Sequence, residues 1–331
     1  MNESWAGKVG RVVLLLAVAA AAWSITLNLR GTPPQIGLSD PQFSTEIQLV
    51  GQYDHDAVYV VEQRAAPDRR VMRLDPRTGE ITTIRSMSND EQVNGMALHP
   101  GGDVLAIGWT PDVALRGNGF ALMNVATGEV DVIVDVVADR FLFDPVWDAD
   151  GSTVHAAQVI TTGGLPAWSI VQIDTDRRTI VTLVNDALGP AIGAAGLYFL
   201  EPDVDGNGRA IGLLGPDGQI VPVAQAEAPM TIDHLMVGAD GTSLSVATHL
   251  QQGARFSFGA PADAHVGPST WWTLDPASGS AMATNLPADT ALDAVITSDG
   301  TLVYITRDGL WFARQERVQV AGSRALRFVT G

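Results

Sequence analysis

The sequence predicts an all-β protein, a six-bladed β-propeller with an N-terminal transmembrane or signal-anchor helix. Three observations carry that expectation. Two classes of tight turn alternate along the chain, six of each. The stretches between them are short and rich in Val, Ile, Leu and Tyr. Beyond the first thirty residues, no segment sustains the 3.6-residue apolar period of an amphipathic helix. An open β-sandwich also spaces short strands regularly, but it does not alternate two turn classes.

The chain begins with an uncharged apolar run over 12–29, preceded by Lys8 and Arg11. A membrane span needs about 20 apolar residues, with a usual range of about 17–25, so the run is just long enough to cross. The same features suit a cleaved signal peptide, with a basic start, an apolar middle and small residues at Ala19–Ala22. Trp23 and the apolar residues after it favour the uncleaved anchor, because aromatic residues mark membrane interfaces. Both readings take the rest of the chain out of the cytoplasm, to the periplasmic or cell-surface side. The anchor leaves a short cytoplasmic N-terminus. Residues 31–43 then form a Pro-rich linker, in which Pro33, Pro34 and Pro41 forbid helix and give a semi-rigid extended spacer.

The propeller is expected over 44–331, and 93–134 shows its unit most plainly. Strands at 95–98 and 104–109 flank the turn His99-Pro100-Gly101-Gly102-Asp103. Strands at 120–125 and 130–134 flank Ala126-Thr127-Gly128-Glu129. Gly supplies the positive φ that such turns require. Four antiparallel strands with two tight turns and a looser middle loop make one blade. First turns recur at 54–56, 99–103, 148–152, 193–196, 238–242 and 297–301, and second turns at 75–80, 126–129, 174–178, 215–218, 275–279 and 315–316. The six blades are therefore placed near 44–85, 93–134, 141–184, 190–224, 230–286 and 291–322. Residues 325–330 remain as a spare strand available for closure.

The turn segments WDADGSTV (147–154), VGADGTSL (237–244) and ITSDGTLV (296–303) resemble the Ser-Pro-Asp-Gly hairpin of TolB-like and WD-like bacterial propellers, and LHPGGDVLA (98–106) is a variant. The resemblance runs from about residue 44 to 322 and concerns architecture. It implies a propeller, and TolB-like relatives that serve as protein-interaction scaffolds make a binding role the expected one. The Asp residues of these turns are read as structural, accepting hydrogen bonds from nearby turn N–H groups.

Composition narrows the partners. The formal net charge is −17, and without Glu3, Lys8, Arg11 and Arg30 the remainder carries 17 basic and 36 acidic residues. Such a surface repels phosphate backbones and argues against nucleic-acid binding. Cysteine is absent, which removes disulfides, thiolate catalysis and cysteine-ligated metals. The histidines show no metal-ligand spacing, and there is no Gly-x-Ser-x-Gly and no phosphate-binding glycine loop.

In an antiparallel meander both tight turns fall at one end of the blade, and the middle loops with the blade connections fall at the other. Long insertions at 63–70, 110–119, 161–167, 201–208 and 251–270 all belong to that second face, the usual place for binding on a rigid scaffold. Candidate partner-binding residues there are Arg64, Arg69, Arg70, Trp109, Arg116, Arg255, Phe256, Phe258 and His265. The two phenylalanines either anchor a partner or fold back over the neighbouring blade. Residues 201–209, EPDVDGNGR, match the first half of a calcium loop through Asp203, Asp205 and Asn207, with Glu201 nearby. Leu214 stands where that motif wants a bidentate Glu, so an acidic Asn-Gly turn without metal is the competing reading. The leading expectation is a non-catalytic, membrane-tethered scaffold or accessory subunit of a membrane protein complex, with no cofactor beyond that calcium. The alternative is a calcium-dependent hydrolase or lactonase-like enzyme with an axial-channel site.

Overall fold

The computed structural model describes residues 35–36, 58–62, 70–75, 80–88, 90–162, 166–203, 206–238, 240–250 and 270–284, and the strand residues 293–296, 302–306, 309–313, 317–321 and 326–328. The leader helix expected over 1–30 lies outside them. No described helix is long and apolar enough to cross a membrane.

The described chain is all-β apart from one 3-10 turn, Val113–Leu115. In order, β1 is Gln35–Ile36, β2 Val58–Glu62, β3 Arg70–Leu74, β4 Ile81–Ser86, β5 Gln92–Leu98, β6 Val104–Thr110, β7 Gly119–Asn124 and β8 Val130–Val134. Next come β9 Arg140–Trp147, β10 Thr153–Ile160, β11 Ala167–Asp174, β12 Thr179–Asn185, β13 Leu188–Gly193, β14 Gly196–Pro202, β15 Gly208–Leu214 and β16 Ile220–Ala226. The rest are β17 Met230–Val237, β18 Leu244–Leu250, β19 Thr270–Asp275, β20 Ser280–Thr284, β21 Asp293–Ile296, β22 Leu302–Thr306, β23 Gly309–Ala313, β24 Arg317–Ala321 and β25 Leu326–Phe328.

Consecutive strands pair antiparallel in fours: β5-β6-β7-β8, β9-β10-β11-β12 and β21-β22-β23-β24. Strands β13 to β16 and β17 to β20 repeat the pattern and are joined by a single pair, Gly208 with Ile232. The remaining sheet has the order β25-β2-β3-β4, in which Phe328 pairs with Val60 and Leu326 with Glu62. The spare C-terminal strand thus completes the first sheet, at the edge where a strand near residue 44 was expected. That part of the chain, 44–57, lies outside the described residues. One further pairing was not expected. Within the Pro-rich linker, Gln35 and Ile36 pair in parallel with Gln225 and Ala226 of β16.

The sheets pack face to face, and this explains why the middle strands are apolar at consecutive positions. Residues 154–159 of β10 are all buried, as are 105–108 of β6. Fourth strands are the exposed ones, with five of the seven residues of β12 open to solvent. Leu105, Ile107 and Met123 of the second sheet meet Tyr59 and Val71 of the first. Phe120 and Ala106 meet Leu142, Trp147 and Val154 of the third. Each fully buried Leu, Ile or Phe contributes about 1.5–3 kcal/mol relative to leaving it exposed.

The tight turns behave as their chemistry requires. Asp150 Oδ1 accepts from the Ser152 backbone N–H at 2.9 Å and its hydroxyl at 2.8 Å, while Gly151 sits at φ 73°. Asp240 Oδ1 does the same for Thr242 and Ser243, beside Gly241 at φ 69°. These bonds hold both carboxyls below the usual carboxylate range, the backbone N–H groups contributing most. Their reading as structural residues stands.

Candidate functional site

The end of the sheets opposite the tight turns is built from the middle loops and the sheet-to-sheet connections. Between β6 and β7 the chain turns through Asp112, whose carboxylate caps the Ala114 N–H at 2.8 Å and starts the 3-10 turn. Arg116 ends it at φ 54°, and Gly117 follows because no Cβ fits: one would stand 2.1 Å from the Val137 carbonyl oxygen. The chain is therefore pressed against the connection between β8 and β9. Backbone bonds fasten it there, from Asp139 N–H to Arg116 O at 2.8 Å and from Asn118 N–H to Arg140 O at 2.9 Å. Thr161 N–H donates to Asp139 O at 2.9 Å, which ties in the middle loop of the third sheet. On the other side, Val113 N–H donates to Asp90 O at 2.9 Å.

This clamped platform presents apolar side chains to water. Val113, Leu115 and Val137 are 46%, 45% and 47% exposed, and Ala114 and Ala138 lie beside them, also exposed. Asp90, Asp112 and Asp135 are exposed around them, with Arg116 the exposed cation of the loop. Arg140 is turned inward, donating to the Asp135 carbonyl, and burial lowers its pKa against the opposing attraction of Asp135. Sequence reasoning named Arg116 but passed over Val113 and Leu115. Their signal was two apolar residues between an Asp cap and a Gly, where a solvated loop would be polar.

Trp109, also a candidate contact, lies near the end of β6. Its indole N–H donates to Glu91 Oε1 at 2.9 Å, and the same oxygen accepts from Arg85 Nε at 2.8 Å. Glu91 is 6% exposed, so its charge is balanced by that guanidinium. Arg85 also donates to the Gly128 carbonyl at 3.0 Å, which makes this group a joint between the first and second sheets. Arg70 opens β3 and is half-buried. Arg64, Arg69, Arg255, Phe256, Phe258 and His265 lie outside the described residues.

The loop joining β14 to β15 carries the calcium-like segment. Asp203 accepts from Asn207 N–H at 3.0 Å, from Asn207 Nδ2 at 3.3 Å and from Arg209 Nε at 3.1 Å. Arg209 reaches on to the Met230 carbonyl at 2.9 Å, tying this loop to the start of β17. Gly206, at φ 80°, lies against Trp168, where an added Cβ would come within 2.4 Å of the indole. The Asp203 carboxylate is thus satisfied by the protein's own cation and amides, and in this arrangement it does not present its oxygens as a cation site. Glu201 is exposed at the end of β14, and Asp205 lies outside the described residues. Among the described residues no three His, Asp or Glu side chains stand together in a way that holds a metal.

The first strands carry bulges that sequence reasoning missed. Register shifts occur between Val93 and Met96 in β5, between Phe143 and Val146 in β9, between Leu188 and Ala191 in β13, and between Ile232 and His234 in β17. Gly95 at φ 99° and Asp144 at φ 48° mark two of them, and a Cβ on Gly95 would meet the Asp144 backbone nitrogen at 2.7 Å. A bulge bends its strand and re-aims the side chain it carries.

No protein-family model matches the chain, and no curated protein matches it. Solved structures do. The chain is similar to TolB from Acinetobacter baumannii at 17% identity and a TM-score of 0.59, over 82% of this chain and 66% of that one. It is similar to a puromycin hydrolase at 16% identity and a TM-score of 0.54, over 88% and 57% of the two chains. An oligogalacturonate lyase in complex with manganese matches at 15% identity and a TM-score of 0.51, over 77% and 71%. At these identities the likeness is one of fold alone. The fold is a β-propeller that resembles TolB in architecture.

Proposed function

We propose that this chain is a non-catalytic, protein-binding propeller of six blades, held outside the cytoplasm by its N-terminal segment as an accessory subunit of a membrane protein complex. The six successive four-stranded pairings support the blade count. The basic-flanked apolar run over 12–29 supports the anchor and the extracytoplasmic side. One observation carries the binding role. Val113, Leu115 and Val137 form an exposed apolar cluster on a loop platform clamped by backbone hydrogen bonds, so little ordering entropy is lost when a partner docks. The surrounding carboxylates and the net charge of −17 favour a protein surface that combines apolar and basic side chains. Arg64, Arg69, Arg70, Trp109, Arg116, Arg255, Phe256, Phe258 and His265 are the further contacts of this face.

The test is quantitative co-purification from native membranes of the wild-type chain and of a Val113→Asp, Leu115→Asp variant. The variant should lose a stoichiometric partner while its unfolding midpoint stays that of the wild type. Equal recovery of that partner by both chains would remove the loop face from the proposal.

A second reading is a calcium-dependent hydrolase or lactonase-like enzyme with an axial site. The matching bulges of β5, β9, β13 and β17 favour it, as does the manganese complex of a propeller neighbour. Placing a cation at Glu201, Asp203, Asp205 and Asn207 requires Arg209 to release Asp203 and Asn207 to present its Oδ1. A chelator-induced fall in melting temperature, reversed by calcium, would favour this reading over the scaffold.

A further inference from the structure

We infer that the outer edge of β16 is a strand-acceptor site whose occupant, or strap, is Gln35–Ile36 of the chain's own linker. The inference adds a docking surface to the anchored propeller proposed above, and its consequence for tethering rests on that reading.

The physical case starts from the edge itself. A fourth strand exposes a row of unpaired N–H and C=O groups, and proteins usually protect such edges with charge, Pro or a covering segment. Strand β16, Ile220–Ala226, has no charged residue. Pro222 lacks an N–H and guards one end, where Ile220 and Val221 are 43% and 38% exposed. Beyond Pro222, among the described residues, Gln35 lies beside Gln225 and Ile36 beside Ala226.

The linker suits this role. Pro33 and Pro34 fix φ near the extended region, so Gln35 arrives already close to strand geometry and less backbone entropy is lost on pairing. The strap also changes the tether. Counted along the sequence, 27 residues separate Arg30 from β2 and four separate it from β1. At about 3.3–3.6 Å per extended residue, the reach falls from about 95 Å to about 14 Å.

The absence of native cysteine makes the test clean. Register partners in adjacent strands lie about 5 Å apart, inside the Cα separation of about 4.4–6.8 Å that a disulfide accepts. The full chain is prepared from membranes in detergent as Gln35→Cys with Gln225→Cys, and as a control Gln35→Cys with Thr182→Cys on exposed β12. Both are treated with an oxidant and, separately, with a short thiol–thiol linker that tolerates imperfect disulfide geometry. The single variants must melt with the parent, as expected at the exposed positions 225 and 182. The strap predicts at least about tenfold more intramolecular cross-link in the 35/225 pair, because pairing raises the local thiol concentration. Equal yields in the two pairs, or preference for 182, overturn it. Carbonate extraction of the same membranes scores the anchor independently. A cross-link that persists in an extractable chain keeps the strap and removes the anchor; a missing cross-link in a membrane-resistant chain does the reverse.

Discussion

Asn118 offers the sharpest test of how neighbouring sheets are joined. It lies just before β7 and is fully buried. Its Nδ2 donates to the Leu142 carbonyl at 2.7 Å, and its Oδ1 accepts the Leu142 N–H. The side-chain amide thus takes the place of a peptide group and pairs β9 to the second sheet where no strand can reach. Gly108 shows how close the approach is, since a Cβ there would stand 2.3 Å from the same carbonyl. In Asn118→Ala, both polar groups of Leu142 lose their partner inside the protein. At about 1–3 kcal/mol for each buried group left unsatisfied, the loss should be about 2–5 kcal/mol. For a domain of this size that corresponds to a fall of about 5–15 °C in melting temperature. Asn118→Asp keeps the acceptor but points a second oxygen at the carbonyl. Its carboxyl is then favoured in the protonated form, with a folded pKa above the unfolded one. Stability is retained below the unfolded value near 3.9 and is lost as pH rises through the folded value. Urea unfolding across pH reads both variants. A loss under about 0.5 kcal/mol for Asn118→Ala, the range of neutral surface substitutions, would refute the role assigned to this amide.

Three further outcomes follow from other contacts. His155 is 7% exposed with its Nδ1 3.3 Å from Asp148 Oδ1. Burial lowers the His155 pKa against the pull of Asp148, and burial raises that of Asp148. A depressed histidine contributes stability that is present above its unfolded value near 6.5 and lost as pH falls, so His155→Gln should flatten the acid side of the stability–pH curve. An unchanged slope from pH 7 downward would contradict this. Gly151 sits at φ 73°, and its Cβ would lie 2.2 Å from His99 Nε2. Gly151→Ala should cost about 2–3 kcal/mol in wild type but only about 1 kcal/mol in a His99→Ala background, a coupling that a double-mutant cycle measures. Removing residues 325–331 deletes β25 and bares the edge of β2. Calorimetry should then show a lower and broader transition, whereas an unaltered one would mean that the pairing of β25 with β2 holds nothing together.

The sequence disclosed what is local. The Asp150-Gly151 and Asp240-Gly241 turns were readable because donor, acceptor and positive-φ residue lie within a few positions of one another. Both-face burial of β6 was readable from its unbroken apolar run, whereas in β10 the run is interrupted by His155 and Gln158, which are buried as well. Bonds between sheets were not, since nothing near Asn118 announces Leu142 and nothing near His99 announces Gly151. The spare C-terminal strand was visible, but its partner β2 was not, because pairing between chain ends leaves no periodicity. In the calcium-like loop the spacing of the carboxylates did not disclose that Arg209, two residues beyond Asn207, carries the charge that Asp203 uses. The apolar exposure of Val113 and Leu115 went unread because length was weighed in that loop and composition was not.

The division of labour between the two ends of the sheets follows from these contacts. At the turn end, bonds join the first sheet to the second, the second to the third and the fourth to the fifth. Gly101 N–H donates to His99 Nδ1 at 2.9 Å, which leaves Nε2 to carry the proton toward the Gly151 carbonyl at 3.2 Å, while the ring stands edge-on to Trp147. Ala194 N–H reaches the Gly241 carbonyl at 2.8 Å, and Arg178 reaches back to Val132 O at 2.7 Å and to Asp131. A long insertion in any of these turns would break a bond to a neighbouring sheet. At the opposite end, the clamps Asp139 to Arg116 and Asn118 to Leu142 lie at the loop bases, so a loop tip such as Val113–Leu115 can vary without loosening the frame. In the proposed binding role, specificity is therefore free to change at one end only, and substitutions there should alter co-purification of the partner while leaving the melting temperature where it was.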